Sequence, residues 1–216
     1  MSLKKEFLNS KKEKHTRRKF PISSVGECWR RKYLELKGLC QEEFSEEKLR
    51  LFDIGSDIHK LITKELLEKE GKTMHLVASE VNVPSTKYIS GRLDNIVSIN
   101  GVNVIVDVKS ASDWTMKSIR NGEDVEENYK NQVLLYMHLS GIHKGILLFV
   151  SKTKGELEEV EVVYDKEKAE KLVQEIENFF HTYVNKNIEP AKCDGGRFGC
   201  DCCGTKGNWG VSKLSI

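Results

Sequence analysis

Long apolar runs are missing from this 216-residue sequence. No segment approaches the roughly 20 apolar residues that a membrane-spanning helix needs, and the charged start lacks the apolar stretch of a secretory signal peptide. We therefore expect an intracellular, cytoplasmic protein without a membrane partner, which leaves a viral or phage origin open. Internal repeats and low-complexity blocks are also absent, and the length indicates one domain with a substantial core.

An excess of charge of one sign is missing too, since 35 Lys and Arg against 33 Asp and Glu leave a formal net charge of +2. The overall charge therefore gives no case for nucleic-acid binding. Basic residues nevertheless crowd residues 1–20, at Lys4, Lys5, Lys11, Lys12, Lys14, Arg17, Arg18 and Lys19. This segment is either a basic arm that follows phosphates or a solvated terminus. We expect it to precede a core over residues 21–187 and a cysteine-rich tail over residues 188–216.

A β-hairpin over residues 89–110 is the clearest structural signal in the chain. Asn100-Gly101 lies between two alternating runs and predicts a two-residue type I′ turn. In that register Asp94 faces Asp107, with Arg92 and Lys109 on the same face. Because side chains alternate along a strand, the opposite face is apolar and carries Leu93, Val97, Ile99, Val102, Val104, Val106 and Val108.

Two carboxylates directly opposite each other destabilise a hairpin by about 0.2–1 kcal/mol, and by more where water is excluded. A divalent cation would offset this repulsion, because Mg²⁺ binds one or two carboxylates together with water and phosphate oxygens. A merely solvated hairpin face would place Lys opposite Asp instead. The pattern therefore favours a site for Mg²⁺ or Mn²⁺ at Asp94 and Asp107.

Elements around the hairpin predict a mixed α/β (α+β) fold. Ser24 and Glu27 fit a capping box, and a long helix would turn His59 inward. A mobile loop is expected after the hairpin, and the helix beyond it forms a β-α-β crossover. The predicted helices cover residues 25–37, 45–71, 125–139 and 165–186, and the strands outside the hairpin cover residues 75–83, 145–151 and 156–163.

Four motifs in this order resemble the RecB-like branch of the PD-(D/E)XK nucleases. They are Gly55-x-x-x-His59, Gly91-Arg92-Leu93-Asp94, Asp107-Val108-Lys109 and Gln132-x-x-x-Tyr136. A lone Asp-x-Lys arises by chance in any soluble chain, but four motifs on a predicted helix, strand, strand and helix are far more specific. The resemblance spans roughly residues 20–205 and implies a restriction-endonuclease-like core with a mixed central sheet flanked by helices.

The resemblance implies a metal-dependent exonuclease that hydrolyses phosphodiester bonds from free ends of single-stranded DNA. Such chemistry needs a cation that polarises the phosphoryl oxygen and positive charge near the developing oxyanion. The implied metal ligands are His59, Asp94, Asp107 and the Val108 carbonyl. Lys109 would position the attacking water and stabilise charge.

Gln132 and Tyr136 share one helix face, and the resemblance makes them a pair that positions the DNA strand and the catalytic lysine. Structural alternatives stand beside these roles. An inward His59 is commonly a hydrogen-bonded core residue, and the Gln–Tyr pair also fits an ordinary amphipathic boundary. Arg92 binds DNA phosphate or pairs with a carboxylate, and Glu80 either lies behind the metal ligands or, more simply, is a solvated strand residue.

Six cysteines in a reducing compartment favour metal ligation over disulfides. Four thiolates suit zinc or an iron–sulfur cluster. AddB-type enzymes and CRISPR-associated adaptation exonucleases share one early and three late cysteines around a [4Fe-4S] cluster. The resemblance therefore implies a cluster that joins the first helix to the tail, with Cys202 as a competitor for one position, Cys40 as structural, and the ligands Cys28, Cys193, Cys200 and Cys203. A zinc knuckle or free thiols are the alternatives.

Two other functions stay open at this point. One is a non-catalytic nucleic-acid-binding module stabilised by zinc, against which the joint presence of Asp94, Asp107 and Lys109 argues. The other is a structure- or site-specific endonuclease on the same core. The expected partners are single-stranded DNA or DNA ends, together with recombination or CRISPR adaptation proteins.

Overall fold

A computed structural model describes residues 18–39, 45–69, 71, 73–123, 125–195 and 200–205. The strands are β1 (Phe20–Pro21), β2 (Met74–Asn82), β3 (Ile89–Ser90), β4 (Arg92–Ile99), β5 (Val102–Ala111), β6 (Lys144–Ser151) and β7 (Leu157–Val163). The α-helices are α1 (Trp29–Leu36), α2 (Glu46–Glu68), α3 (Asp113–Arg120), α4 (Glu127–Ser140) and α5 (Lys166–Phe179), which continues as a π-helical turn, Phe180–Val184. Short 3-10 turns are formed by Ile22–Ser24 and Asp201–Cys203. None of the helices in these ranges is long and apolar enough to cross a membrane.

Five strands form one mixed sheet in the order β2-β4-β5-β6-β7. Strands β5 and β6 run parallel, while the other neighbours are antiparallel. A parallel pair needs a long crossover connection, and here that connection contains α3 and α4. Helix α2 covers one face of the sheet, where Ile62 packs with Val108 and Val150, and α4 and α5 cover the other. The predicted mixed α/β fold with a helix-flanked sheet is confirmed.

The central hairpin pairs in the predicted register. Ile99 lies opposite Val102, and the ladder continues to Asn95 opposite Val106. Asn100 has a φ of 51° and the glycine after it a φ of 80°, as a type I′ turn requires. Most of the predicted apolar face is buried, although Val102 beside the turn is 45% exposed.

The predicted capping box at the first helix is wrong. Helix α1 begins at Trp29, with Cys28 in the N-cap position. The Ser24 hydroxyl accepts a hydrogen bond of 2.8 Å from the buried ammonium group of Lys32, and Glu27 forms an ion pair of 2.9 Å with the same ammonium. Ser24 and Glu27 therefore hydrogen-bond and neutralise a buried lysine, respectively, instead of capping a helix.

The prediction of a mobile loop after the hairpin is also wrong, because Asp113–Arg120 form α3. Ser112 caps this helix, since its Oγ accepts a hydrogen bond of 3.2 Å from the Thr115 N–H. Met116 is buried and anchors the helix to the core. The helix carries the chain from the end of β5 towards α4.

Aromatic packing brings the first helix against the end of the chain. Trp29 on α1 stacks on Phe179 of α5 with 4.8 Å between ring centroids, and Phe20 packs against both rings. Arg30 donates a hydrogen bond of 3.1 Å to the carbonyl of Pro190 in the tail. Cys28 is thereby held next to the tail cysteines.

Candidate active site

Asp94 lies at the open end of the central hairpin, one residue beyond the last paired position. Its Oδ2 accepts a hydrogen bond of 2.8 Å from the Val108 N–H and lies 3.2 Å from Nδ1 of His59 on α2. The hydrogen bond to Asp94 is the main reason why the pKa of His59 is raised. The inward histidine of the long helix thus reaches the first of the two predicted carboxylates.

Asp107 is buried, with only 1% of its surface exposed. Lys109 Nζ lies 2.8 Å from its Oδ2, and Gln132 Nε2 donates a hydrogen bond of 3.2 Å to its Oδ1. Burial raises the pKa of Asp107 to about 6, although the Lys109 charge opposes this rise.

Helix α4 supplies a hydrogen-bonded chain that holds Lys109. The Nζ atom of this lysine donates a hydrogen bond of 3.0 Å to Gln132 Oε1, and Gln132 Nε2 donates one of 3.3 Å to the Tyr136 hydroxyl. That hydroxyl donates to the Arg92 carbonyl at 2.9 Å. Burial raises the pKa of Tyr136, so the phenol stays neutral and remains a donor. The structure thus gathers the histidine, both aspartates, the lysine and the Gln–Tyr pair at one place.

Tyr129 is a site residue that sequence reasoning missed. Its ring centroid lies 5.0 Å from Lys109 Nζ, a separation suited to a cation–π interaction. Tyr129 precedes Gln132 by three positions, and residues three apart share a helix face. This spacing is the sequence signal that could have identified Tyr129 as a site residue.

Arg92 pairs with a carboxylate at the rim of the site. Its Nη2 lies 2.7 Å from Glu80 Oε2, and both side chains are exposed. Glu80 adopts a φ of 54°, which is uncommon for a residue other than glycine. Glu80 is thus an exposed strand residue, as one of the two sequence interpretations had it. The Arg92 guanidinium is also exposed and lies beside the buried Asp107 site.

Four cysteine thiols meet where α1 packs on the tail. The Sγ atoms of Cys28, Cys193, Cys200 and Cys203 all lie within 4.8 Å of one another. The Sγ atoms of Cys28 and Cys203 are 3.7 Å apart. Cys202 is the one described cysteine outside the group, and Cys40 falls outside the described residues. A cavity of about 770 Å³ borders the group on one side.

The donor set and spacing of this cysteine group fit a metal centre. Tetrahedral zinc with Zn–S bonds of about 2.3 Å places its sulfurs about 3.8 Å apart, close to the 3.7 Å between Cys28 and Cys203. A [4Fe-4S] cluster is also held by four thiolates, but each binds a different iron, which needs wider spacing. Four thiolate donors therefore suit either centre by chemistry, whereas sulfur separations of at most 4.8 Å are closer to those of a zinc site.

Comparison with known proteins adds an independent finding. A family model of the PD-(D/E)XK nuclease superfamily matches residues 25–207. No curated protein matches the sequence. The fold is similar to that of an alkaline exonuclease from Laribacter hongkongensis, with a TM-score of 0.59 and 12% identity over 86% of this chain and 94% of that one. It is also similar to a phage-related exonuclease from Haemophilus somnus 129PT, with a TM-score of 0.51 and 15% identity over 78% and 96% of the two chains. The restriction-endonuclease-like core is thereby confirmed.

Proposed function

Because the chain belongs to the PD-(D/E)XK nuclease superfamily, we propose that it is a metal-dependent DNA exonuclease that hydrolyses phosphodiester bonds from free ends of single-stranded DNA. One observation carries this proposal. Lys109 lies 2.8 Å from the buried carboxylate of Asp107, and Gln132 binds both side chains. A positioned ammonium beside a buried acid is what phosphodiester hydrolysis needs.

The donor atoms of this site are of the types that a divalent cation takes. Asp107 offers a buried carboxylate, whose Oδ2 lies 2.8 Å from the Lys109 ammonium, and Asp94 and His59, 3.2 Å apart, offer oxygen and nitrogen donors. We propose that these three residues and the Val108 carbonyl hold Mg²⁺ or Mn²⁺. A bound cation of this kind polarises the phosphoryl oxygen and lowers the pKa of a coordinated water.

In this proposal Lys109 supplies the positive charge that stabilises the developing oxyanion alongside the metal ion. Gln132 Oε1 accepts a hydrogen bond of 3.0 Å from its ammonium group, and the Tyr129 ring lies below that group. These contacts hold the lysine in one orientation, so that it can hydrogen-bond the attacking water and the developing oxyanion. An orienting amide of this kind reduces the reorganisation needed at the moment of reaction.

Arg92 is proposed to bind DNA phosphate at the rim. Its ion pair with Glu80 is exposed on both sides, and exposed pairs contribute only about 0–1 kcal/mol. A DNA phosphate can therefore replace the carboxylate at small cost. The Tyr136 hydroxyl holds the Arg92 backbone at 2.9 Å, and this contact keeps the arginine next to the active site while its partner changes.

We propose that the cysteine group holds a [4Fe-4S] cluster, as the resemblance to AddB-like and CRISPR adaptation enzymes implies. We also propose that the protein acts in DNA processing and recombination or in CRISPR adaptation. Zinc is the alternative that the 3.7 Å spacing supports. Anaerobic purification with an absorption spectrum and metal analysis decides between them. Iron, labile sulfide and broad visible absorption would support the cluster, whereas stoichiometric zinc in a colourless protein would replace it.

The nuclease assay compares end-labelled linear and circular single-stranded DNA with Mn²⁺ or with EDTA. We expect Mn²⁺-dependent loss of the linear strand only, and none with Lys109→Ala. The control is Lys144→Ala, an exposed lysine at the start of β6, which should cleave like the parent. Cleavage of circles would indicate an endonuclease, and binding without any cleavage would indicate a non-catalytic module.

A further inference from the structure

Ile22 and Tyr136 close over Gly91 beside the candidate active site. Gly91 joins β3 to β4 and directly precedes Arg92, whose carbonyl accepts a hydrogen bond from the Tyr136 hydroxyl. A Cβ atom at Gly91 would lie 2.6 Å from Ile22 Cδ1 and 2.9 Å from Tyr136 Cε1. Carbon atoms in contact are normally about 3.5–4.0 Å apart, so the three residues leave no space for a methyl group.

The two side chains that enclose Gly91 have little freedom to move. Ile22 is 0% exposed and Tyr136 is 3% exposed, and packed interiors transmit displacement instead of absorbing it. The chain before Ile22 is fixed by the pairing of β1 with β3. The Ile22 carbonyl accepts a hydrogen bond of 3.0 Å from Val25. Ile22 is therefore held from both sides.

We propose that Ile22 is a positioning residue, which presses the Tyr136 ring against Gly91 and so fixes the Gln132–Lys109 contact. The inference rests on the proposed nuclease function. Tyr136 accepts a hydrogen bond of 3.3 Å from Gln132, and Gln132 accepts one of 3.0 Å from Lys109. A displacement of the tyrosine ring therefore moves the amide that orients the ammonium group.

The same segment connects this position to the cysteine group. Beyond Ile22 the chain turns at Gly26, where a Cβ atom would lie 1.8 Å from Asn128 Oδ1 in the first turn of α4, and it then reaches Cys28. One continuous segment thus contacts α4 at its start and at Tyr136.

The test uses the full chain with Gly91→Ala, Ile22→Val and the double variant. Gly91→Ala should lower kcat on saturating linear single strands with Mn²⁺ by roughly 10²-fold, because a displacement of about 1 Å has costs of that order, while KM changes little. Ile22→Val removes the Cδ1 atom that lies nearest the new methyl. It should lower kcat by itself, because the Tyr136 ring loses the side chain that presses on it, and it should restore part of the lost kcat in the double variant, where the new methyl group takes the place of Cδ1.

Gly145→Ala is the matched control. Its Cβ would lie 2.5 Å from Val133 Cγ1 and 3.1 Å from Met137 Sδ, so it crowds the same helix without touching Tyr136. It should lower the melting temperature about as much as Gly91→Ala and leave kcat nearly unchanged. An equal loss of kcat in the control, or no recovery in a folded double variant, would overturn the proposal.

A second readout does not depend on turnover. The side-chain amide signal of Gln132 in an NMR spectrum, assigned by its loss in Gln132→Glu, should shift in Gly91→Ala, return in the double variant and stay unchanged in Gly145→Ala. A wild-type protein without turnover would refute the nuclease proposal, and this signal would still decide the role of Ile22. A Gln132 signal indifferent to Gly91→Ala would refute that role.

Discussion

Replacing Asp107 by asparagine should stabilise the metal-free protein at neutral pH. The side chain is 1% exposed, and burial raises its pKa from 3.8 to about 6. Since the unfolded chain then ionises at lower pH than the folded protein, stability falls as pH rises from about 4 to 6 and stays reduced above that range. A rise from 3.8 to about 6 corresponds to a loss of about 3 kcal/mol.

The assay is thermal and urea unfolding of the wild type and Asp107→Asn in EDTA between pH 4 and 8. The difference in the free energy of unfolding should change by about 2.4 kcal/mol in favour of the variant across this range, because part of the unfolded-state titration lies below pH 4. This corresponds to about 5–10 °C in Tm for a chain of this size. Asp57→Asn is the control, because the Asp57 side chain is 73% exposed on α2. Its difference from the wild type should stay nearly flat.

Added Mn²⁺ should reverse the order of stability. An ion that binds only the folded wild type stabilises it by mass action, whereas Asp107→Asn removes an anionic oxygen. A stability difference that does not vary with pH would refute the reasoning. It would show that Lys109 and Gln132 solvate the buried carboxylate well enough to keep its pKa ordinary.

Three further predictions test other parts of the molecule. Lys109→Ala should lower kcat by roughly 10²–10³-fold, as loss of one oxyanion donor does. Its affinity for single-stranded DNA in EDTA should stay close to that of the wild type, and a mild effect on kcat would show that the lysine has no part in the mechanism. Cys28→Ala should lower both Tm and bound iron or zinc, whereas Cys202→Ser should keep the metal; equal metal loss would make Cys202 a ligand. Removing residues 2–17 should make the affinity for single-stranded DNA less dependent on salt. The slope of log binding constant against log salt concentration should flatten by about 0.7 for each phosphate that these residues neutralise, and an unchanged slope would show that they do not bind DNA.

The hairpin could be predicted because its determinants are local. Asn100-Gly101 sets the turn, and the alternation of apolar residues sets which side chains face the core. The register from Ile99–Val102 to Asn95–Val106 followed from these two signals alone. Helix α2 was predictable for the same reason, since Ser45 caps it and its apolar stripe is long. Local signals therefore placed Asp94, Asp107 and His59 on the correct elements.

Non-local contacts account for the errors. Ser24 and Glu27 match a helix-start pattern, but the buried ammonium of Lys32 competes for both side chains and wins. The choice between Cys202 and Cys203 was likewise undecidable from spacing, because both lie in one 3-10 turn, Asp201–Cys203. Neighbouring residues in such a turn point about a third of a revolution apart. In the structure Cys203 faces α1, with its Sγ 3.7 Å from that of Cys28, whereas Cys202 is disulfide-bonded.

Two charged side chains among the described residues are buried, Lys32 and Asp107, and they differ in how well their surroundings compensate the charge. Lys32, 3% exposed, receives full compensation from the Ser24 hydroxyl at 2.8 Å and from Glu27 and Glu35 carboxylates at 2.9 and 2.6 Å. Asp107 is buried as deeply and is paired with the Lys109 ammonium, 2.8 Å from Oδ2, and with the Gln132 amide at Oδ1. Burial still outweighs these contacts, because it raises the pKa of Asp107 to about 6. The ionised carboxylate therefore costs stability in the metal-free protein, and a cation bound at this carboxylate would offset that cost.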